Sequence, residues 1–364
     1  MRRQLKRTRM RRKVAGYKKG FQDGVRDGAC TAAFAAIPQP ALPPRPLRVL
    51  YVPQGFPAID HGVSEALRMS VGELHIAESS RMLELAASIK PDLVLVLNGL
   101  HFFPPNHLQQ IDAIRGLGTR TAIWFADDPY FTEQTVEIAP HYDTVLTHEL
   151  AAVDLYRGIG CSNVHYLPLG ADPSLFRPMA VEPQYRSDVC FIGQGFWNRI
   201  ELFDAVASKL SKHRVVIAGG LWDRLKRHRL LKSNIKDGWM PIEESVKYYN
   251  GAKIVINIHR TTEALSDNKN TYRLQGKSIN PRTYEISACG TLQLTDIRED
   301  LPSYYRPGLE LETFTGPREL MGKIEYYLKR EDERRRIALQ GLIRTMRDHS
   351  YAARIQRLLM LLGY

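Results

Sequence analysis

The sequence predicts an α/β protein with two doubly wound domains facing a cleft, preceded by a basic, glycine-patterned extension. Three observations carry this reading. Short runs of consecutive apolar residues alternate with longer amphipathic stretches, and such unbroken runs fit strands buried on both faces of a parallel sheet. The alternation halts in a Pro-rich stretch from Leu169 to Arg186 and then restarts, so the βα series occurs twice. Finally, 364 residues exceed what one ordinary core organises.

In the first domain, 47–172, strand-like runs fall at Leu47–Val52, Leu93–Asn98, Thr121–Phe125, Thr144–Thr147 and Val164–Leu167. Helical spacing occupies Ser79–Ile89, Asn106–Leu117 and His148–Arg157. In the second, 187–349, the strands are Asp188–Gly193, Arg214–Gly219, Lys253–Ile258 and Thr291–Asp296. Its helices are Asn198–Leu210, Leu221–Leu231, Ile242–Asn250 and Pro281–Cys289. Near the end, Tyr351, Ile355, Leu358 and Leu362 share one helical face. That stripe needs burial, and the expectation is that helix 350–364 packs back on the first domain.

The extension, 1–46, has three parts. Residues 1–20 hold ten Lys or Arg and no acid, which leaves only +2 of the chain's +12 for the rest. The body is therefore no nucleic-acid surface, while the arm suits either a solvated tail or an anionic partner. Glycine then recurs every fourth residue from Gly16 to Gly28, beside a stripe of Tyr17, Phe21 and Val25. A period of four places both stripes on neighbouring helix faces, yet so many glycines would not hold a helix alone in water. Segment 1–28 should dock on its own body, a second subunit or an anionic surface, or stay unstructured. Ile37–Pro46 reads as a Pro-rich linker.

Composition narrows the class further. Hydrophobic content of 44% with 25% charge is that of a globular protein, and no run approaches the ~20 apolar residues of a membrane span. The basic start lacks the apolar stretch of a secretory signal. Cys30, Cys161, Cys190 and Cys289 are scattered without a CxxC pair, so neither a zinc site nor a disulfide framework is indicated. A reducing cytoplasm is the expected compartment, with no metal and no cofactor.

Three segments could carry chemistry. Val189–Arg199 reads as a buried strand, a glycine turn at Gly193, and a helix opening near Asn198. Such a turn lets backbone N–H groups approach a phosphate, and Arg199 could add a bidentate contact, although any tight βα turn uses glycine. In Lys277–Asp296, Asn280 reads as a helix cap and Pro281 as the first helical residue. Arg282 and Glu285, at i and i+3, then project from one side. The carboxylate could accept from ribose hydroxyls and the arginine could meet phosphate; a surface ion pair is the plainer alternative. In the first domain Trp124-Phe-Ala-Asp-Asp-Pro129 ends a buried strand with Asp127 and Asp128 at the ligand-binding edge of the sheet. Either could act as a base on an acceptor hydroxyl, though Asp before Pro is also common turn chemistry. Asn98 and His101 follow another strand and are acceptor-side candidates.

Glu285-Ile-Ser-Ala-Cys-Gly290 before a buried strand resembles the nucleotide-sugar segment of glycosyltransferases with the GT-B fold, built of two Rossmann-like domains. Leu167–Pro178 is similar to their interdomain segment, and Asp237–His259 to the loop, helix and strand along their donor pocket. With Asn280-Pro-Arg-Thr-Tyr-Glu285, the sequence most resembles the spore-maturation CgeB-type glycosyltransferases. The resemblance implies sugar transfer from a nucleoside-diphosphate sugar to a glycan, protein or small-molecule acceptor in a spore or envelope. It implies a donor site of Gly193, Asn198, Arg199, Asn257, Arg282, Tyr284 and Glu285, with Trp222 and Trp239 as stacking platforms. His259, with Asp127 and Asp128, is a catalytic candidate. The metal is dispensable in this scheme, because cations and a helix N-terminus neutralise the leaving group.

One departure stands out. Related retaining enzymes carry a second glutamate eight positions before the first, where this chain has Lys277. A nucleotide-sugar epimerase and a non-catalytic spore or envelope interaction module are the competing readings. DNA binding through the arm is a third.

Overall fold

The computed structural model describes residues 2–38, 43–263 and 267–364, so part of the Pro-rich linker lies outside the described residues. Side chains 2–9, 11, 12, 15, 18 and 19 also lie outside them. The chain is α/β with two six-stranded sheets, each parallel throughout.

The first sheet contains β1 (Arg45–Val52), β2 (Val71–Ile76), β3 (Leu93–Leu97), β4 (Arg120–Phe125), β5 (Thr144–Thr147) and β6 (Val164–Tyr166). Their spatial order is β2-β1-β3-β4-β5-β6. β3 is buried along its whole length, as an apolar run in a covered parallel sheet must be. β2 alternates poorly and lies at the edge, which is why periodicity missed it together with the preceding helix Pro57–Ser70.

The second sheet contains β7 (Ser187–Ile192), β8 (Val215–Ala218), β9 (Ile235–Lys236), β10 (Ala252–Asn257), β11 (Leu292–Asp296) and β12 (Glu312–Phe314). The order β12-β11-β10-β7-β8-β9 reverses direction between β7 and β10. At that reversal, crossover helices depart to opposite faces, leaving a crevice beyond the strand ends. The expected helix Leu221–Leu231 is broken into a 3₁₀ turn, Trp222–Arg224, and a short helix, His228–Leu231. Leu221 adopts left-handed backbone there, with φ 67°.

The chain crosses between the halves twice, and the crossings bond to each other. Ala171 N–H donates to His349 O at 3.0 Å, and Tyr351 N–H donates to Ala171 O at 3.1 Å. The helix Tyr351–Leu361 then lies on the helix Pro57–Ser70, burying Tyr351, Ile355, Leu358 and Leu359 in the first domain's core. Gly62 makes this approach possible, because a Cβ there would stand 2.2 Å from the Tyr351 ring.

A further tie comes from the segment after β10. The buried Glu149 carboxylate accepts from the N–H groups of Lys277 (2.9 Å) and Ser278 (3.3 Å), and Tyr166 donates to Asp300 at 2.7 Å. These bonds hold the halves together beside the crevice.

The extension forms one helix, Arg2–Ala36. Its later turns sit against the second domain: Asp23 pairs with Arg186 at 2.8 Å, Arg26 reaches the Cys289 and Gly290 carbonyls, and Cys30 is buried.

Replacing Tyr351 by Ala should cost about 3–5 kcal/mol, the usual range for truncating a large buried aromatic. Urea unfolding monitored by circular dichroism would measure it; a loss under 1 kcal/mol would show that the terminal helix contributes little to the first core.

Candidate functional site

A cavity of about 380 Å³ lies between the domains, beyond the carboxyl ends of both sheets. The turns after β4, β5, β7, β8 and β10 all reach it, through Asp127, His148, Gly193, Gly219 and Arg260. The helix Pro281–Ala288 points its first turn at the same space.

That helix is built as its sequence dictates. The Asn280 side chain accepts from Thr283 N–H at 3.1 Å and Pro281 fills the first position, where a missing N–H costs nothing. Arg282 and Glu285 both line the cavity, three residues apart on one face. Among the described residues neither side chain makes a hydrogen bond, so both are available to a ligand. Burial pushes the Glu285 carboxyl up to about 7, against the opposing pull of Arg282.

Arg260, which the sequence reading passed over, is the second cation. Its guanidinium lies 4.5 Å from the Tyr130 ring of the first domain and 4.3 Å from that of Phe196. One nitrogen donates to Asp267 O, while Nε is buried without a partner. Aromatic walls on both sides hold a cation at the cavity and depress its affinity for its proton through burial. Position alone, directly after β10 at the switch point, was the available sequence signal.

The glycine turn is partly as expected. Gly193 lines the cavity, but its N–H is spent on Ala218 O and that of Gly195 on Gly220 O. Gly219 has φ 132°, and a Cβ there would lie 2.2 Å from Gly193 O, so only glycine fits. Arg199 also lines the cavity, yet it donates to Ile258 O at 2.7 Å and Gln194 O at 2.9 Å. It braces the turn. Burial, with Arg282 nearby, lowers its pKa to about 9, which leaves it charged at neutral pH.

Several expected donor-site residues turn inward. Trp222 is 1% exposed, edge-on to Phe191 and Phe203, and donates to Gly193 O; the left-handed turn at Leu221 swings it into the core. Tyr284 faces Tyr305 and His349 instead of the cavity. Asn257 bonds Asn280 and Thr283 under the helix cap, and Asn198 bonds the His259 carbonyl and Thr261 N–H. Trp239, 73% exposed, does stand at the rim.

His259, expected as a catalytic candidate, does not line the cavity. Its ring is buried, with Nδ1 2.6 Å from the Asp296 carboxylate and Nε2 accepting from Asn280 N–H at 2.9 Å. Accepting from an amide fixes Nε2 as the unprotonated nitrogen, so Nδ1–H donates to Asp296. Burial lowers the imidazole pKa and keeps this neutral tautomer. Burial works the other way on Asp296, but His259 and Arg298 outweigh it and hold the carboxyl well below the usual range.

Across the cavity only Asp127 of the expected acceptor-side groups lines it. Asn98 is buried behind, accepting from the N–H groups of Ala126 and Asp127 at 3.0 Å, so it positions the turn. His101 stands 3.8 Å from Asp127 and packs on Phe131, outside the cavity lining. Asp128 is wholly buried and bonded by Thr147, and burial drives its carboxyl well above the ordinary range. The missed group is His148, which lines the cavity with Nε2 3.6 Å from an Asp128 carboxylate oxygen. Burial lowers its pKa to about 4. Its reading as the start of a helix hid it: the helix begins at Ala152.

Two parallel sheets meeting at a cleft, with an unpaired carboxylate and cations on one wall and Asp127 on the other, form the GT-B arrangement. Solved structures agree on the fold. Sucrose-phosphate synthase from Thermosynechococcus elongatus superposes with TM-score 0.59 at 13% identity, covering 87% of this chain and 99% of that one. HepE from Anabaena, in complex with UDP and glucose, gives 0.58 at 10%, with coverage of 87% and 99%. A family model described as glycosyl transferase-like matches residues 199–360. Spore protein CgeB of Bacillus subtilis (strain 168) is 30% identical over 302 residues, 80% of this chain and 91% of that protein. The chain belongs to the CgeB family of GT-B glycosyltransferases.

Because the Glu285 pKa is raised, ionising it costs stability: the cost begins above about pH 4.5 and is complete above about 7. Glu285→Gln should therefore gain stability relative to wild type on going from pH 5 to pH 8, read from melting curves at both values; an unchanged difference would place the titration elsewhere.

Proposed function

We propose that this protein moves a sugar from a nucleoside-diphosphate donor held by its C-terminal half to an acceptor hydroxyl on the first domain. The observation that carries the reading is the pair Arg282 and Glu285, side by side on a capped helix, facing the cavity and unengaged by the protein. Ionised Glu285 accepts from ribose hydroxyls, a charge-assisted pair of bonds. Arg282 and Arg260 neutralise the diphosphate, aided by the positive end of the helix. Trp239 at the rim supplies a face for the base. That HepE is described in complex with UDP and glucose supports a nucleotide-sugar donor.

Asp127 is the base on the acceptor side, with His148 hydrogen-bonding an acceptor or sugar hydroxyl beside it. The cations at the diphosphate do the work otherwise given to a divalent metal, so the reaction is metal-independent in this scheme. Relationship to a spore protein favours an acceptor of the forming spore or envelope and a cytoplasmic site of action.

A second reading has one observation in its favour. Lys277 pairs with Glu299 at 3.0 Å and does not line the cavity, so the position of the missing glutamate offers no acid to it. A family member that binds nucleotide without turnover would fit that. Transfer or donor hydrolysis decides between them, and an epimerase would convert the donor with no acceptor present.

UDP at ~100 times its Kd should raise stability by about 2.7 kcal/mol. Glu285→Ala should weaken that binding by about tenfold or more, near 1.4 kcal/mol. Stabilisation by no nucleoside diphosphate would overturn the donor assignment.

Asp127→Asn should lower kcat by roughly 10²–10⁴-fold while leaving donor binding intact. Activity should also persist in EDTA; complete loss on chelation would remove the metal-free scheme.

A further inference from the structure

The function above leaves the N-terminal helix unused. Its docked part is settled by contacts: Asp23 pairs with Arg186 and Arg335, Arg26 caps the Cys289 and Gly290 carbonyls, and Cys30 fills the space above Gly290. The groove beneath is lined by Ser187, Ala252 and Leu292, which begin β7, β10 and β11. The helix therefore sits at the amino edge of the second sheet, on the side opposite the cavity.

The other side of this helix faces outward. Met10, Val14, Tyr17, Phe21 and Val25 fall at spacings of three and four, forming one stripe about 22 Å long. All five are exposed, with Met10 at 65%, Tyr17 at 76% and Phe21 at 64%. A Cβ on Gly16, Gly20, Gly24 or Gly28 would touch nothing, so the body does not cover this side. In sequence, residues 1–20 of the same helix hold ten cations and no acid.

From this we infer that the N-terminal helix lies on an anionic phospholipid surface, with its apolar stripe in the interface and its cations at the headgroups. An exposed stripe alone would not identify its occupant; the charge does. A second copy would bring another ten cations against the first, and the helix's two acids, Asp23 and Asp27, already pair with Arg186 and Arg26 of their own chain, which opposes self-pairing. A polyanion such as RNA satisfies the charge but offers no apolar medium to the stripe. A bilayer rich in acidic lipid supplies both. Among the described residues no helix is long and apolar enough to cross a membrane, so the helix lies along the surface. The catalytic cleft, at the far edge of the sheet, stays open to its substrates.

The test is sedimentation of the full chain with vesicles of phosphatidylcholine alone or mixed with phosphatidylglycerol. We expect at least about tenfold stronger binding to the anionic vesicles, falling as salt rises. Tyr17→Ser combined with Phe21→Ser should weaken this binding by about tenfold or more. The same variant should leave the melting temperature and the stabilisation by UDP unchanged, since both side chains are largely exposed. Equal binding to both vesicle types would overturn the inference. So would anionic binding indifferent to the two serines, which would assign the helix to polyanions such as RNA. A dimer in analytical ultracentrifugation that the serines disperse would assign the stripe to a second copy instead. Because the readout is lipid binding, it stands whether or not the donor assignment holds.

Discussion

One imidazole holds the donor wall together. His259 joins the end of β10 to the end of β11 through Asp296 and, through its other nitrogen, takes the first free amide of the helix Pro281–Ala288. A buried ring with both nitrogens satisfied has one tautomer and one orientation, so it fixes where the helix starts. The Asn280 cap and the Asn257 carboxamide complete the joint. Arg282 and Glu285 are consequently placed by His259, Asn257 and Asp296, which do not line the cavity. An arrangement of this kind keeps two charged side chains unpaired and facing one space, which a free surface helix would not do.

The two walls of the cleft carry opposite charge for a chemical reason. The wall of the second domain gathers Arg282, Arg260 and the amino end of a helix, the chemistry that the proposed diphosphate would require. On the acceptor wall Asp127 and His148 are the groups within reach of a hydroxyl, while Asp128 lies behind them. Burial separates their behaviour: Asp128 is pushed towards the neutral acid and His148 towards the neutral base. Aromatic rings close the space between the walls, and Arg260 spans it by lying against Tyr130 of one domain and Phe196 of the other. Contacts between the domains are thus part of the site itself. Glu149, gripping the Lys277 and Ser278 amides, sets the spacing of the walls from the side.

Much of the fold was legible because burial writes itself into sequence. Strands such as Leu93–Leu97 are apolar at every position since both faces are covered, and their shortness separates them from buried helices. β2 and the region from Arg298 to Asp348 were not legible, the first because an edge strand is half-exposed and mixed in composition. The helix cap at Asn280 and the side-by-side placement of Arg282 and Glu285 were legible too, being local rules of helix geometry.

What the amino-acid order decided by itself is therefore the class of the fold, the two βα series and the local frame of the donor helix. Only the tertiary structure decided which polar residues face the cavity. Trp222, Asn198, Asn257, Tyr284 and His259 occupy the expected elements, yet each is consumed by a neighbour distant in sequence. Arg260 and His148 reach the cleft because strands far apart in the chain end at the same edge. Spacing along a chain fixes the side of an element on which a residue stands, but not whether a partner already waits there. That depends on contacts between segments tens to hundreds of residues apart, and these exist only once both sheets have packed.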